Sequence, residues 1–287
     1  MREDLFTTII RSTRGIGDGI LMSPIVETIY SITGEKVNLY LHPDVIPVFI
    51  NNPFVSILDK YNKFNFSSDY YDLTSAEIQY ELTTQPNIVK NKTEIWCDKI
   101  GLDYSKPRSP KIYLSQSEVY DGKYFLREIK NNKKKIIALG YASLEPWRNY
   151  PFIVELGNLL NKDYSVIAIH HESVTANLKV EKYLIGESLR KVFSVINSCD
   201  MVVGPDTSHI HIAGALKIPI YGIFGPTNGE VRLSNYSRDC DKIFPKSFSL
   251  CKRQHCWYET CKDIWCLKTL SPREIKAQID EYFSSSY

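Results

Sequence analysis

Short apolar runs alternate with amphipathic stretches along most of this chain. In the first half, apolar and β-branched runs predict buried strands at residues 5–10, 37–41 and 55–58. Apolar residues at helical spacing predict helices at residues 20–30, 45–50 and 88–100. The segment 61–84 is rich in Tyr, Asn and Ser, and its pattern predicts no element.

The same alternation restarts in the second half. Apolar runs predict strands at residues 135–139, 165–169, 200–203 and 220–224. Helices are predicted at residues 151–160, 189–198, 213–216 and 274–283. Alternating strands and helices are typical of parallel sheets covered on both faces, and Pro107 and Pro110 indicate a hinge between the halves. We therefore predict two Rossmann-like α/β domains that face a cleft.

One strand-to-helix turn in the second half is rich in hydrogen-bonding groups. Asp206, Thr207 and Ser208 follow an apolar run, and His209 and His211 lie just beyond them. The first N–H groups of a helix lack partners and carry the positive end of the helix dipole, so such a turn can bind an anion. The turn indicates a site for a nucleotide-linked substrate. Two simpler interpretations stay open: Asp206 caps the helix, and His211 belongs to the core.

A glycine-rich turn, Arg14-Gly15-Ile16-Gly17-Asp18-Gly19, joins the first strand to the first helix. Its spacing is not that of the dinucleotide-binding fingerprint. Open α/β sheets place their chemistry at the carboxyl ends of strands, so Asp18 is a candidate general base there. A partly dry site would raise the pKa of Asp18 and suit it to this role. The alternative is an ordinary helix-capping Asp.

Composition narrows the class of protein. The chain of 287 residues has room for two domains, and its net charge of +2 gives no support for a nucleic-acid partner. A basic stretch at residues 123–135 is interpreted as a solvated helix end, with contact to an anionic acceptor or a membrane surface as the alternative. Apolar runs are too short to span a bilayer, and the first residues do not resemble a secretory signal. A cytoplasmic location is predicted, with peripheral contact at the inner face of the membrane as an option.

In order and spacing, these motifs resemble family 9 of the glycosyltransferases, the lipopolysaccharide heptosyltransferase-like enzymes. Residues 14–19 are similar to the family's Gly-Asp turn, residues 204–211 to its Asp-Thr-Gly-x-x-His segment, and residues 224–227 to its Phe-Gly-Pro-Thr loop. The resemblance implies a GT-B fold with an acceptor-binding domain at 1–115 and a linker at 116–134. It implies a nucleotide-sugar domain at 135–270 and a terminal helix at 271–287.

The resemblance also implies an inverting transfer without a catalytic metal or other cofactor. The donor would be a nucleotide-diphosphate sugar such as ADP-heptose, and the acceptor a hydroxyl of a glycan, a lipid-linked molecule or a protein. Asp18 matches the family's general base, and Arg14 and Gly17 fall on the acceptor side. The residues assigned to the donor site are Ser143, Arg148, Asp206, Thr207, Ser208, His211, Gly225, Pro226 and Thr227.

This chain departs from the family pattern around the donor, which leaves the sugar open. Ser208 stands where the family has Gly, His209 is an added polar group, and Asn149-Tyr150 alters an Arg-Trp-Pro pattern. Two other functions stay open: a sugar-nucleotide epimerase with a similar fold, and a non-catalytic protein that binds nucleotide sugars.

Four cysteines recur near the C-terminus with four residues between each pair of neighbours: Cys251, Cys256, Cys261 and Cys266. Within the segment 240–266, they are candidate ligands of a structural Zn or Fe ion, and Cys240 could replace one of them. Their spacing differs from the paired Cys-x-x-Cys pattern of zinc sites. Two local disulfides and four reduced thiols are the alternatives.

Overall fold

The computed structural model describes residues 7–57, 70–85, 87–104, 109–127, 129, 135–236, 240–243 and 263–285. It contains two parallel β-sheets, one from each half of the chain. Strands and helices alternate in both halves, as predicted from the sequence. Long apolar runs at the strand positions explain this, because a strand covered on both faces excludes water from every side chain.

The first sheet has four strands in the order β3-β2-β1-β4. They are β1 (Thr8–Arg11), β2 (Val37–Leu41), β3 (Val55–Ile57) and β4 (Tyr71–Asp72). The helices that accompany them are α1 (Ile16–Thr33), α2 (Ile46–Phe49), α3 (Ala76–Thr84) and α4 (Lys92–Ile100). Of these elements, β4 and α3 lie in the segment for which the sequence predicted nothing.

The second sheet has six strands in the order β10-β9-β8-β5-β6-β7. They are β5 (Ile136–Gly140), β6 (Ser165–His170), β7 (Lys182–Ile185), β8 (Met201–Pro205), β9 (Ile220–Ile223) and β10 (Lys242–Ile243). Its helices are α6 (Ile153–Leu160), α7 (Leu189–Ile196), α8 (Ser208–Leu216) and α9 (Gly229–Arg232). The predicted strands are confirmed, and α8 begins five residues before the predicted start at 213.

Three further helices, α5 (Gln116–Arg127), α10 (Trp265–Lys268) and α11 (Pro272–Ser285), complete the described α-helices. Helix α5 packs on α7, and α11 packs on α6. Tyr164 donates a hydrogen bond to Asp280 at 2.6 Å, and Tyr150 donates one to the Leu270 carbonyl at 2.7 Å. The terminal helix is therefore fixed to the second half of the chain. The domain limits at 115, 134 and 270 stay predictions.

Helix α1 continues through an internal proline, Pro24. Proline has no N–H to offer the carbonyl four residues earlier, which belongs to Ile20. The Ser23 hydroxyl donates to that carbonyl at 2.7 Å and accepts the Lys111 N–H at 2.9 Å. The side chain thus satisfies the group that proline leaves without a partner, and α1 keeps its full length beside the first sheet.

Buried polar contacts join the two halves directly. Arg232 of α9 forms a two-bond ion pair with Glu81 of α3, at 2.5 and 3.1 Å, and both side chains are buried. Nearby, Asn235 donates to the Thr93 hydroxyl at 2.7 Å, and Asn91 donates to the Ser234 hydroxyl at 2.9 Å. These contacts hold α3 and α4 against the segment that follows β9.

Candidate functional site

A cavity of about 540 Å³ lies between the two sheets, at the carboxyl ends of their strands. Each sheet contributes the point where its strand order reverses, between β1 and β4 in the first and between β5 and β8 in the second. Crevices form at such points because the connections on either side leave in opposite directions. The predicted site residues that line the cavity are Arg14, Gly17, Asp18, Ser143, Arg148, Asp206, Thr207, Ser208 and His211.

Asp18 lies in the first turn of α1, and Gly15 occupies the N-cap position. Its carboxylate does not cap the helix but accepts hydrogen bonds from two cationic side chains. Arg11 Nη2 donates to Oδ2 at 2.7 Å, and Lys92 Nζ donates to Oδ1 at 2.6 Å. Asp18 therefore reaches the cleft as an ionised and firmly oriented carboxylate.

The expectation that a dry site raises the pKa of Asp18 is wrong. Burial does work in that direction, but the positive charges of Lys92 and Arg11 and the Lys92 hydrogen bond outweigh it. The net result is that the pKa of Asp18 is lowered. Arg11 and Lys92 are not among the predicted site residues, although Lys92 lies in the predicted helix 88–100, so the sequence did not indicate this outcome.

Arg11 is fixed by a buried network of its own. It pairs with Glu77 at 2.9 Å and donates to the Leu73 carbonyl at 3.0 Å. Its guanidinium lies over the ring of Trp96, 4.9 Å from the centroid, and Trp96 donates its N–H to Glu77 at 2.9 Å. Only 1% of the Arg11 side chain is exposed. The network makes Arg11 a rigid support for Asp18.

Asp206 faces the cleft from the second sheet, at the end of β8. Thr207 is the N-cap residue of α8, so Asp206 does not cap that helix. Its Oδ2 accepts the Thr227 hydroxyl at 2.8 Å and lies 3.7 Å from Arg148 Nη1. Burial works to raise the pKa of Asp206, but Arg148, Arg232, His211 and the Thr227 hydrogen bond hold it at about 2.

His211 lies on α8 between the two acidic residues. Its Nδ1 forms a 2.8 Å hydrogen bond with the Tyr236 hydroxyl, and its Nε2 lies 3.9 Å from Asp206 Oδ1. Burial lowers the pKa of His211 to about 4, so its ring is neutral near pH 7. A side chain added at Gly17 would come within 2.8 Å of this ring, so the glycine lets α1 and α8 meet. The position of His211 agrees with both a core role and a role in the binding site, because its ring is buried and also lines the cavity.

The segment after β5 forms a tight turn beside Asp206. The Ser143 N–H donates to Asn149 Oδ1 at 2.6 Å, and the Ser143 hydroxyl accepts the Glu145 N–H at 3.1 Å. Arg148 ends the short 3-10 helix Pro146–Arg148 and lies over the ring of Trp147, 4.7 Å from the centroid. The turn holds the Arg148 guanidinium at the cleft wall.

The loop 225–227 lies behind the described cavity lining, and its predicted role beside the donor stays a prediction. Gly225, Pro226 and Thr227 do not belong to the cavity lining that the structure describes. Thr227 is fully buried and holds Asp206 from behind. Gly225 lies where an added side chain would meet Leu267 at 2.5 Å. The loop therefore supports the acidic residue, and its glycine makes room for α10.

Several cations line the cleft, and each is paired with a carboxylate. Arg11 and Lys92 pair with Asp18. The remaining pairs are Arg14 with Asp44, Arg148 with Glu145 at 2.9 Å, and Arg232 with Glu81. The side-chain charges at the cleft are therefore balanced, and the N–H groups at the start of α8 and the hydroxyls of Thr207 and Ser208 add neutral polar groups.

The predicted cysteine site falls mainly outside the described residues. Cys251, Cys256 and Cys261 lie there, whereas Cys266 is half-buried beside Gly225 and Cys240 is buried next to the Ile218 carbonyl. Across the described part of the chain, no group of three or more His, Cys, Asp or Glu side chains could hold a metal ion. The structural Zn or Fe ion stays a prediction. None of the helices in the described ranges is long and apolar enough to cross a bilayer.

Residues 159–256 match the family model of glycosyltransferase family 9 (heptosyltransferase). No curated protein matches the chain at a significant level in sequence.

Solved structures match over nearly the whole chain. A family 9 glycosyl transferase from Veillonella parvula has 12% identity and a TM-score of 0.63, covering 85% of this chain and 86% of its own. ADP-heptose LPS heptosyltransferase II of E. coli has 11% identity and a TM-score of 0.60, covering 98% and 99%. The dodecameric, iron-containing E. coli heptosyltransferase TibC, in complex with ADP-D-β-D-heptose, has 12% identity and a TM-score of 0.68, covering 98% and 77%.

These findings confirm the predicted fold class and the resemblance. At such low identity the structures establish the fold alone. The chain has the GT-B fold, and in residues 159–256 it matches glycosyltransferase family 9.

Proposed function

We propose that this protein is an inverting glycosyltransferase that moves a heptose or related sugar from a nucleotide-diphosphate donor to a hydroxyl acceptor. One observation carries the proposal: Asp18 of the first sheet and the Asp206 and Arg148 turns of the second line the same cavity. Structural neighbours are heptosyltransferases, and one of them binds ADP-heptose. Lipopolysaccharide or another surface glycan is the proposed destination of the sugar.

Asp18 is proposed as the general base. Its oxygen takes the proton of the acceptor hydroxyl as the acceptor oxygen forms a bond to the anomeric carbon. The bond from that carbon to the phosphate oxygen breaks, and the nucleoside diphosphate leaves with the electron pair. A carboxylate of low pKa is a weak base, but it is ionised over the whole physiological range. Arg14 and Gly17 are proposed to contact the acceptor beside it.

The second half of the chain is proposed to bind the donor. Arg148, the N–H groups at the start of α8, and the hydroxyls of Ser143, Thr207 and Ser208 would meet the diphosphate, whose charge grows as the bond breaks. His211 is neutral and could donate or accept a hydrogen bond with the sugar or the phosphate. Thr227, with Gly225 and Pro226, is proposed to act indirectly by fixing Asp206.

A panel of nucleotide sugars, assayed for released nucleoside diphosphate, tests this proposal. The panel includes ADP-heptose, and each donor is tested with and without glycan, lipid-linked and protein acceptors. Release that depends on an acceptor is the expected result. Release without any acceptor would favour the epimerase. Nucleotide binding without release would favour a non-catalytic binding protein.

A further inference from the structure

The two carboxylate oxygens of Asp18 are held by cations in different surroundings. Arg11, on Oδ2, is 1% exposed and tied to Glu77, a backbone carbonyl and an aromatic ring. Lys92, on Oδ1, opens α4 with its side chain 12% exposed, and it lines the cleft. Both side chains line the cavity, but Arg11 is fixed by three further groups, whereas Asp18 is the one side-chain partner of Lys92 among the described residues.

Of these two cations, only Lys92 can leave its Asp18 oxygen at a low cost in free energy. Moving Arg11 would leave Glu77 buried beside Asp18 without its positive partner, and an unpaired buried charge is strongly unfavourable. Lys92 carries its ammonium on a flexible four-carbon stem, so it can turn toward the open cavity and be hydrated there. Oδ1 is therefore the oxygen that an incoming hydroxyl can reach.

We infer that Lys92 is a positioning residue for the transfer, which holds Oδ1 of Asp18 in the resting cleft and yields it to the acceptor hydroxyl. This inference rests on the proposed function, because it concerns the proton that Asp18 would accept. When Oδ1 takes the proton, Asp18 becomes neutral and no longer attracts the ammonium. The positive charge of Lys92 is then exposed in the cleft while negative charge grows on the departing diphosphate.

Other charged or titratable groups around Asp18 do not offer the same exchange. Burial lowers the pKa of His211 and keeps it neutral, while burial raises the pKa of Tyr236 well above its ordinary value. Arg232 also acts on Asp18 electrostatically but is bound to Glu81. Arg11 contacts Asp18 directly but is also paired with Glu77, whereas Lys92, among the described residues, forms its ion pair with Asp18 alone.

The test compares Lys92→Met with Lys92→Arg and with Lys90→Met. Lys90 lies just before α4 and pairs at 2.5 Å with Asp98, an ion pair that does not line the cavity. The carboxyl carbon of Asp18, identified by its loss in Asp18→Asn, is titrated by carbon-13 NMR in each protein. We expect the midpoint to rise by about one pH unit or more in Lys92→Met and to stay near the wild-type value in the other two.

A second readout links the titration to turnover with ADP-heptose and the acceptor panel. In Lys92→Met, the acid limb of the pH profile of kcat/KM should shift to higher pH by the same amount as the NMR midpoint. A merely structural role would not produce this matched shift. If Lys92→Met does not fold, Lys92→Gln removes the same charge and carries the same expectation. Suppose that the wild type turns over, but the Asp18 midpoint is unchanged in the folded Lys92 variant. That result would overturn this inference and leave the proposed function standing. Absence of wild-type turnover with every donor and acceptor would overturn the proposed function and the inference together.

Discussion

At the scale of single residues, the cleft is organised by acidic groups kept ionised and a histidine kept neutral. Asp18 and Asp206 each lie against positive charges that outweigh the effect of burial on their pKa. His211 lies between them, and burial dominates its pKa. The site therefore keeps fixed protonation states, so its chemistry depends on geometry more than on titration near neutral pH.

His211 should make stability sensitive to mild acid. Its pKa is about 4 in the folded protein against an ordinary value of 6.5, so the unfolded chain binds the proton first. Its contribution to the free energy of unfolding is fully present above about pH 6.5 and is lost as the pH falls toward 4. The stability difference between wild type and His211→Asn, measured by urea unfolding, should therefore shrink over this interval.

His171→Asn is the matched control, because the His171 side chain is 51% exposed. It should change the free energy of unfolding little at either end of the interval. A His211→Asn difference that stays constant with pH would contradict the neutral, buried state of this ring.

The sequence identified Asp18, Asp206 and Arg148, but not the groups that hold Asp18. Asp18 and Asp206 were found because each follows a strand, where parallel sheets place their chemistry. Arg11, Lys92 and Glu77 come from other elements, and their meeting depends on the three-dimensional packing. The same limitation explains why the direction of the Asp18 pKa shift was predicted wrongly.

At the scale of elements, apolar patterning identified the strands and helices with apolar inner faces. It missed α3, whose buried residues include Glu77 and Glu81. A helix that turns charges inward carries no apolar stripe, so its pattern does not stand out. It also missed β7, an edge strand with one fully buried residue in four. Both failures occur where polar contacts or an edge position replace apolar burial.

The contact between α5 and α7 depends on a glycine. A Cβ at Gly122 would lie within 2.0 Å of the Ser194 carbonyl, which is backbone and cannot rotate away. In an ordinary helix, Gly→Ala raises the free energy of unfolding by about 1 kcal/mol. Overpacking lowers it by about 1–3 kcal/mol. Gly122→Ala should therefore lower the free energy of unfolding, as measured in urea.

The neighbouring Asp121→Ala provides the comparison, because Asp121 is exposed on the same helix. It should leave the free energy of unfolding within about 0.5 kcal/mol of wild type. Stabilisation by Gly122→Ala would show that α5 and α7 do not pack this closely.

At the scale of the whole molecule, the two sheets are joined by a buried ion pair beside the cavity. Removing one member leaves the other charge uncompensated, which costs about 3–5 kcal/mol in buried pairs. Arg232→Met should lower the free energy of unfolding by about this amount, and Arg232→Met with Glu81→Leu should recover most of it. Denaturant unfolding of the three proteins measures both effects.

An exposed pair serves as the control. Lys268 pairs with Asp263, and both side chains are at least half exposed. Lys268→Met should cost less than about 1 kcal/mol. Equal losses from Lys268→Met and Arg232→Met, or no recovery in the double variant, would contradict a buried link between the halves.

The sequence predicted the two sheets and the two turns that face each other, because strand and helix alternation follows directly from apolar spacing. It could not predict the contacts that close the molecule around the cavity. These contacts depend on side chains of α3, α4 and α9, which come together only in the folded protein. The predicted turns thus mark the site, while the unpredicted contacts determine its charge and its rigidity.

Asp18 is proposed to act across the cleft, as general base, on a donor bound by the second half. The most direct test is the transfer rate of Asp18→Asn with the donor and acceptor found in the panel, beside Asp98→Asn, a control on the exposed Lys90 pair. We expect Asp18→Asn to lose about 10²–10⁴-fold in kcat while nucleoside diphosphate binding stays near the wild-type level, and Asp98→Asn to keep full activity. A folded Asp18→Asn variant with wild-type turnover would contradict the role of Asp18 as general base.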